Sequence, residues 1–128
     1  MSNGTLTLGP NSSATLSGFG DTVTLAANDV LTLDDTAAAN SNTVTSTNSI
    51  VNLSGASATL NVSGNNNSIN MQISQNDFVE SGTSNTISVS ATNTWETMYE
   101  AGSILNDTAG NSWITLYGLR TPLILADS

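Results

Sequence analysis

The chain has 128 residues, of which 38% are hydrophobic, 9% charged and 5% aromatic, and it carries a formal net charge of -9 with no cysteine or histidine. That length allows one domain with a modest core. Arg120 is the only basic residue, which excludes nucleic acid and anionic membrane as partners, because neutralising phosphates takes several cations, and the lack of cysteine removes disulfides, thiolate metal sites and thiol catalysis.

The first fifty residues hold short alternating apolar segments at uneven spacing. Leu6 and Leu8 come first, and Val23 and Leu25 are followed by Leu31 and Leu33 after eight residues. The stretch Asp34-Asp35-Thr36-Ala37-Ala38-Ala39-Asn40-Ser41-Asn42 then separates Leu33 from Val44. It reads as a loop or bulge over 34–42 on one coil, with a short helical turn at Thr36 to Ala39 as the alternative on alanine's helix propensity.

From residue 51 to 125 the spacing becomes regular. Val51, Leu60, Ile69, Phe78, Ile87, Leu105, Ile114 and Leu123 recur every nine residues, with Glu96 alone breaking the series. A second column two residues on runs Leu53, Val62, Met71, Glu80, Val89, Met98, Asp107, Leu116 and Leu125. Two apolar residues flanking one polar residue, followed by Gly, Asn, Ser and Thr, describe a brief strand and a turn. Such a strand buries its apolar side only by stacking on copies of itself.

The predicted fold is all-β. It is a single β-solenoid over residues 1–128, parallel β-helix or β-roll like, with about six coils of about eighteen residues and two short strands per coil. Leu60 should then stack near Phe78 and Glu96, and Ile69 near Ile87 and Leu105. Asparagine and glycine at the corners fit because both enter left-handed backbone regions, and stacked amides can bond along the axis.

The carboxy-terminal part holds every Trp and Tyr of the chain, Trp95, Tyr99, Trp113 and Tyr117. Large rings in a chain that otherwise avoids them indicate either a structural cap on the last coil or a contact surface. Arg120 lies beside them and can bridge to a carboxylate of a neighbouring copy.

Several units place Asp, Asn or Ser two residues before the apolar position, as in Asp21 before Val23, Asp29 before Leu31, Asn67 before Ile69 and Asn85 before Ile87. With preceding glycines, as in Gly18-Phe19-Gly20-Asp21-Thr22-Val23, the chain resembles a degenerate form of the nine-residue calcium β-roll repeat of type I secreted bacterial proteins, and bacterial extracellular β-helix and adhesin repeats. The resemblance covers residues 18 to 125. It implies an extracellular or cell-surface protein, and the opening Met1-Ser2-Asn3-Gly4 lacks the charged n-region of a cleaved signal. It also implies calcium at Asp21, Asp29, Asp34 and Asp35. Over coils 40 to 90, however, Asn, Ser or Ala replaces the aspartate, and neutral amides are poor ligands for Ca²⁺, so the expected solenoid is calcium-independent and needs no cofactor.

Catalysis is not expected. The usual general bases are missing, and Ser and Thr have no basic partner. The carboxylate pairs Asp34 with Asp35, Asp77 with Glu80, and Glu96 with Glu100 read as solvated turns or edges. Thr5 with Thr7, Thr22 with Thr24, and Thr43 with Thr45 have the Thr-x-Thr form of ice-binding solenoids, but Asn61 with Ser63 and Val79 with Ser81 follow, so the rank is not sustained and reads as β-favouring threonine on an exposed face. No apolar run approaches the ~20 residues of a membrane span.

The expected role is structural. The protein associates with copies of itself into an extracellular fibre, sheath or matrix, through strand edges at Leu6, Leu8, Leu123 and Leu125 and through the aromatic cluster. A carbohydrate- or surface-binding adhesion module with the aromatics as its platform is the alternative, and an ice-binding solenoid a further one.

Overall fold

A computed structural model of the chain describes residues 2–34, 40–54, 58–72, 77–90, 92–99, 102–108, 110–117 and the backbone of 123–125. Among the described residues there are fourteen strands and no helix. In chain order they are β1 (Thr5–Thr7), β2 (Ser13–Leu16), β3 (Thr22–Thr24), β4 (Val30–Leu33), β5 (Asn40–Thr45), β6 (Ile50–Leu53) and β7 (Ala58–Ser63). There follow β8 (Ser68–Met71), β9 (Asp77–Ser81), β10 (Thr86–Val89), β11 (Trp95–Met98), β12 (Ile104–Asp107), β13 (Trp113–Leu116) and β14 (Leu123–Leu125). Odd-numbered strands form one seven-stranded sheet and even-numbered strands the other, each in sequence order and parallel throughout. The chain is a parallel β-solenoid with two strands per coil.

The register bears out the nine-residue ladder. Leu60 pairs with Phe78 and Phe78 with Glu96, while Ile69 pairs with Ile87 and Ile87 with Leu105. Every paired strand from β5 and β6 onward lies eighteen residues from its neighbour, as in Thr43 against Asn61 and Ile50 against Ser68. The earlier coils differ. Thr5 pairs with Thr22 at seventeen residues, Thr22 with Thr43 at twenty-one, and Val30 with Ile50 at twenty. Relative to the regular coils, two extra residues fall between β4 and β5 and one between β3 and β4. Of the stretch predicted as a loop, 40–42 instead belong to β5, and Asn42 is buried; Asp35 and the Thr36 to Ala39 alternative lie outside the described residues.

The uneven early spacing has a structural cause. In the first sheet Leu6, Val23, Val44 and Val62 form one inward column. Leu8 and Leu25 stand two residues beyond it, whereas Leu60 and Phe78 stand two residues before it. The apolar pair therefore slides by one inward position between β3 and β7, and Asp21 and Asn42 fill the vacated inward position in the early coils. In the second sheet Leu31, Val51, Ile69, Ile87 and Leu105 never shift. All five are fully buried, and each contributes about 1.5–3 kcal/mol by leaving water.

One corner of each coil is built from a recurring pair of positions. Asn11, Asn28, Asn48, Asn66 and Ser84 hold left-handed backbone, with φ between 51° and 64°, and Gly102 continues the column. The residue after each begins a buried polar column that includes Asp29, Ser49, Asn67, Asn85 and Ser103. The amide of Asn67 accepts the Ser49 backbone N–H at 3.0 Å and donates to the Ser46 carbonyl at 3.0 Å. Asn85 repeats this one coil on, accepting from Asn67 N–H at 2.7 Å and donating to the Gly64 carbonyl at 2.8 Å. Each amide is a two-point clamp on the coil before it, which satisfies backbone groups the strands leave unpaired at the turn.

Candidate functional site

The outward face of the first sheet carries the features with chemical potential, and its side chains are placed by strand alternation. Inward Glu96 and Met98 leave Trp95, Thr97 and Tyr99 facing solvent, and one coil on Trp113, Thr115 and Tyr117 repeat the pattern. The two indoles stack at 4.9 Å with 8° between planes, and the two phenols at 4.8 Å with 5°. The sequence singled out these four residues, and the structure joins them as two parallel tracks with threonine between. They remain 44–65% exposed. Arg120 lies outside the described residues.

The column under Trp95 steps down abruptly in size, to Asp77 and then Thr59. One face of the Trp95 indole is covered by Trp113; on the side toward β9 a groove of about 570 Å³ opens, lined by Thr59, Asp77, Val79, Trp95 and Thr97. A second hollow of about 230 Å³ shares Val79 and is lined otherwise by Thr43, Asn61, Val62, Ser63 and Ser81. Sequence inspection missed this groove, although reading outward residues at intervals of eighteen from Trp95 would have found Asp77 and Thr59.

Further along this face the Thr-x-Thr pairs stand in register, Thr5 over Thr22 over Thr43 and Thr7 over Thr24 over Thr45. Asn61 and Ser63, then Val79 and Ser81, continue the same two columns, so the rank ends where the sequence places its end.

The first coil presents a strand edge. The Gly4 carbonyl and the Leu8 N–H both bond to β3, so by alternation the N–H and C=O of Thr5 and Thr7 point to the other side. The same holds for Ser13 and Thr15 on β2, whose flanking Ser12 and Leu16 carbonyls accept the N–H groups of Val30 and Asp34. Leu6, Leu8 and Ala14 are only partly buried here. At the opposite end β14 pairs with β12 through Leu123 and Leu125, whose side chains lie outside the described residues.

The aspartates that the β-roll resemblance nominates take structural positions. Asp21 and Asp29 are buried; Asp21 accepts the Gly4 N–H and Asp29 the N–H groups of Ser12 and Ala26, all at 2.8 Å. Asp34 is exposed after β4 and bonds its backbone N–H to the Leu16 carbonyl. Among the described residues no three carboxylates gather as an ion's ligand set requires.

The reading of Glu80 and Glu96 as solvated requires correction. Strand alternation turns Asp77 outward and Glu80 inward, so that pair is split between faces, and Glu80, Glu96 and Asp107 are all buried in the core. The Asn85 amide donates to Glu80 Oε1. Neither Glu96 oxygen makes a hydrogen bond of ordinary geometry. Burial drives its pKa from 4.5 to about 7, with the Thr94 hydroxyl offsetting part of the rise and Asp107 adding to it.

No known protein family matches the chain, and no curated protein or solved structure matches it either.

Proposed function

We infer that this protein is a structural solenoid that associates with copies of itself through its strand edges, as a component of an extracellular fibre, sheath or matrix. The observation that carries the reading is the edge of β1 and β2. Thr5, Thr7, Ser13 and Thr15 aim backbone donors and acceptors outward, no charged side chain stands on either strand, and partly buried Leu6, Leu8 and Ala14 lie beside them. Monomeric β proteins block such edges with charge, proline or bulges, because an open edge templates another strand. A second copy adding its own coil continues both sheets and both apolar columns.

Sedimentation velocity across a concentration series, with negative-stain images of the same samples, tests the reading. Growing linear assemblies about one coil stack in width are the expected result. Dispersed monomers at the highest concentration overturn it.

A further inference from the structure

We propose that the groove beside Trp95 binds a neutral oligosaccharide, with one sugar ring lying against the indole and the chain continuing over Val79 into the second hollow. Four observations carry this. Trp113 covers one indole face, leaving the other as a fixed aromatic wall of the groove. Such a wall attracts the C–H face of a pyranose, because the ring's quadrupole presents negative charge there. Opposite and beside it stand the Asp77 carboxylate, an acceptor suited to sugar hydroxyls, and the hydroxyls of Thr59 and Thr97, which both donate and accept.

The remaining two observations select the ligand class. The groove and the second hollow share Val79, and the second is lined by uncharged polar groups such as Asn61, Ser63 and Ser81, which suits a hydroxyl-rich chain longer than one ring and not a compact cation held at Asp77 alone. Acidic sugars are disfavoured by the net charge of -9 and the single basic residue in the chain. This surface is distinct from the β1 and β2 edge, so it does not depend on self-association.

Trp95 and Trp113 are the only tryptophans, so intrinsic fluorescence reports directly on the site. The titrants are soluble hexasaccharides of β-1,4-glucose, α-1,4-glucose, β-1,4-mannose and β-1,4-N-acetylglucosamine, with tetramethylammonium and oligogalacturonate in parallel. Protein is used at concentrations where sedimentation shows monomer, so failure of association leaves the result readable. At least one neutral series should give a saturable change. Its affinity should fall about tenfold in Asp77→Asn, in line with loss of a hydrogen bond to a charged group, and should be abolished in Val79→Phe, which fills the groove while keeping both indoles. Binding of the same hexasaccharide to Trp95→Ala, followed by calorimetry, should also be lost, with circular dichroism confirming the strands. No saturation with any neutral series up to its solubility limit overturns the proposal. So does unchanged binding in Val79→Phe and Trp95→Ala, or tighter binding of tetramethylammonium or oligogalacturonate.

Discussion

A Cβ on Gly64 would sit 1.7 Å from the Ser46 carbonyl oxygen one coil away, and one on Gly82 would sit 1.9 Å from that of Gly64. Both residues also hold positive φ, at 122° and 156°. They occupy the inward column that Leu8 and Leu25 fill in the early coils, at the point where the chain now turns close against its neighbour. Gly64→Ala should therefore destabilise the protein by about 1–3 kcal/mol in urea unfolding, whereas Gly110→Ala, with open space around the added carbon, should change it little.

Glu96 sits where the ladder calls for an apolar residue, and its raised pKa has a defined consequence. The folded state holds this proton more tightly than the unfolded chain, so the contribution of Glu96 to stability is fully present below pH 4.5 and is lost as pH rises toward about 7. The slope from one such group is at most about 1.4 kcal/mol per pH unit. Glu80 and Asp107 face the same interior. Glu96→Gln should flatten the decline between pH 5 and 7, and Glu96→Leu should raise the unfolding midpoint at pH 8, where the wild-type carboxylate is charged. An identical pH profile in Glu96→Gln would show that another group sets it.

At the scale of the element, strands of three to six residues are too short to persist alone. What makes them strands is the partner on either side, and β1 and β2 have a described partner on one side only. Thr7→Pro tests their role. The Thr7 N–H points away from β3, so proline there removes no internal bond, yet it deletes a donor from the edge and places a ring on it. The expected outcome is a folded protein with unchanged circular dichroism that no longer associates in sedimentation. Association at wild-type strength would place the contact elsewhere on the molecule. The aromatic tracks illustrate the same dependence on neighbours, since β11 and β13 must lie in register for Trp95 to meet Trp113 and Tyr99 to meet Tyr117. Each stacked pair contributes about 0.5–1.5 kcal/mol beyond the area it buries.

For the whole molecule, charge opposes association while the edge favours it. Copies carrying -9 each repel at low ionic strength, where the Debye length is about 30 Å at 0.01 M, and far less at 0.15 M, where it is about 8 Å. Association followed by light scattering should accelerate as sodium chloride rises between these limits. Slower association with added salt would mean that attractive ion pairs, and not the uncharged edge, hold the copies together. The amide clamps at Asn67 and Asn85 are neutral and should be insensitive to the same change.

The sequence by itself determined the repeat, the strand-and-turn unit, the pairing of Leu60 with Phe78 and Ile69 with Ile87, and which four aromatic residues stand apart from the rest of the chain. These follow from periodicity, because side chains an even coil apart in a parallel stack must lie over one another, and one apolar column then fixes register for the whole sheet. Tertiary structure alone decided the rest. The slide of the apolar pair between β3 and β7, the burial of Glu80, Glu96 and Asp107, and the groove beside Trp95 each depend on what lies one coil away in space. A carboxylate in a linear sequence looks the same whether its neighbour eighteen residues off faces water or closes over it, and only the wound chain brings that neighbour into place.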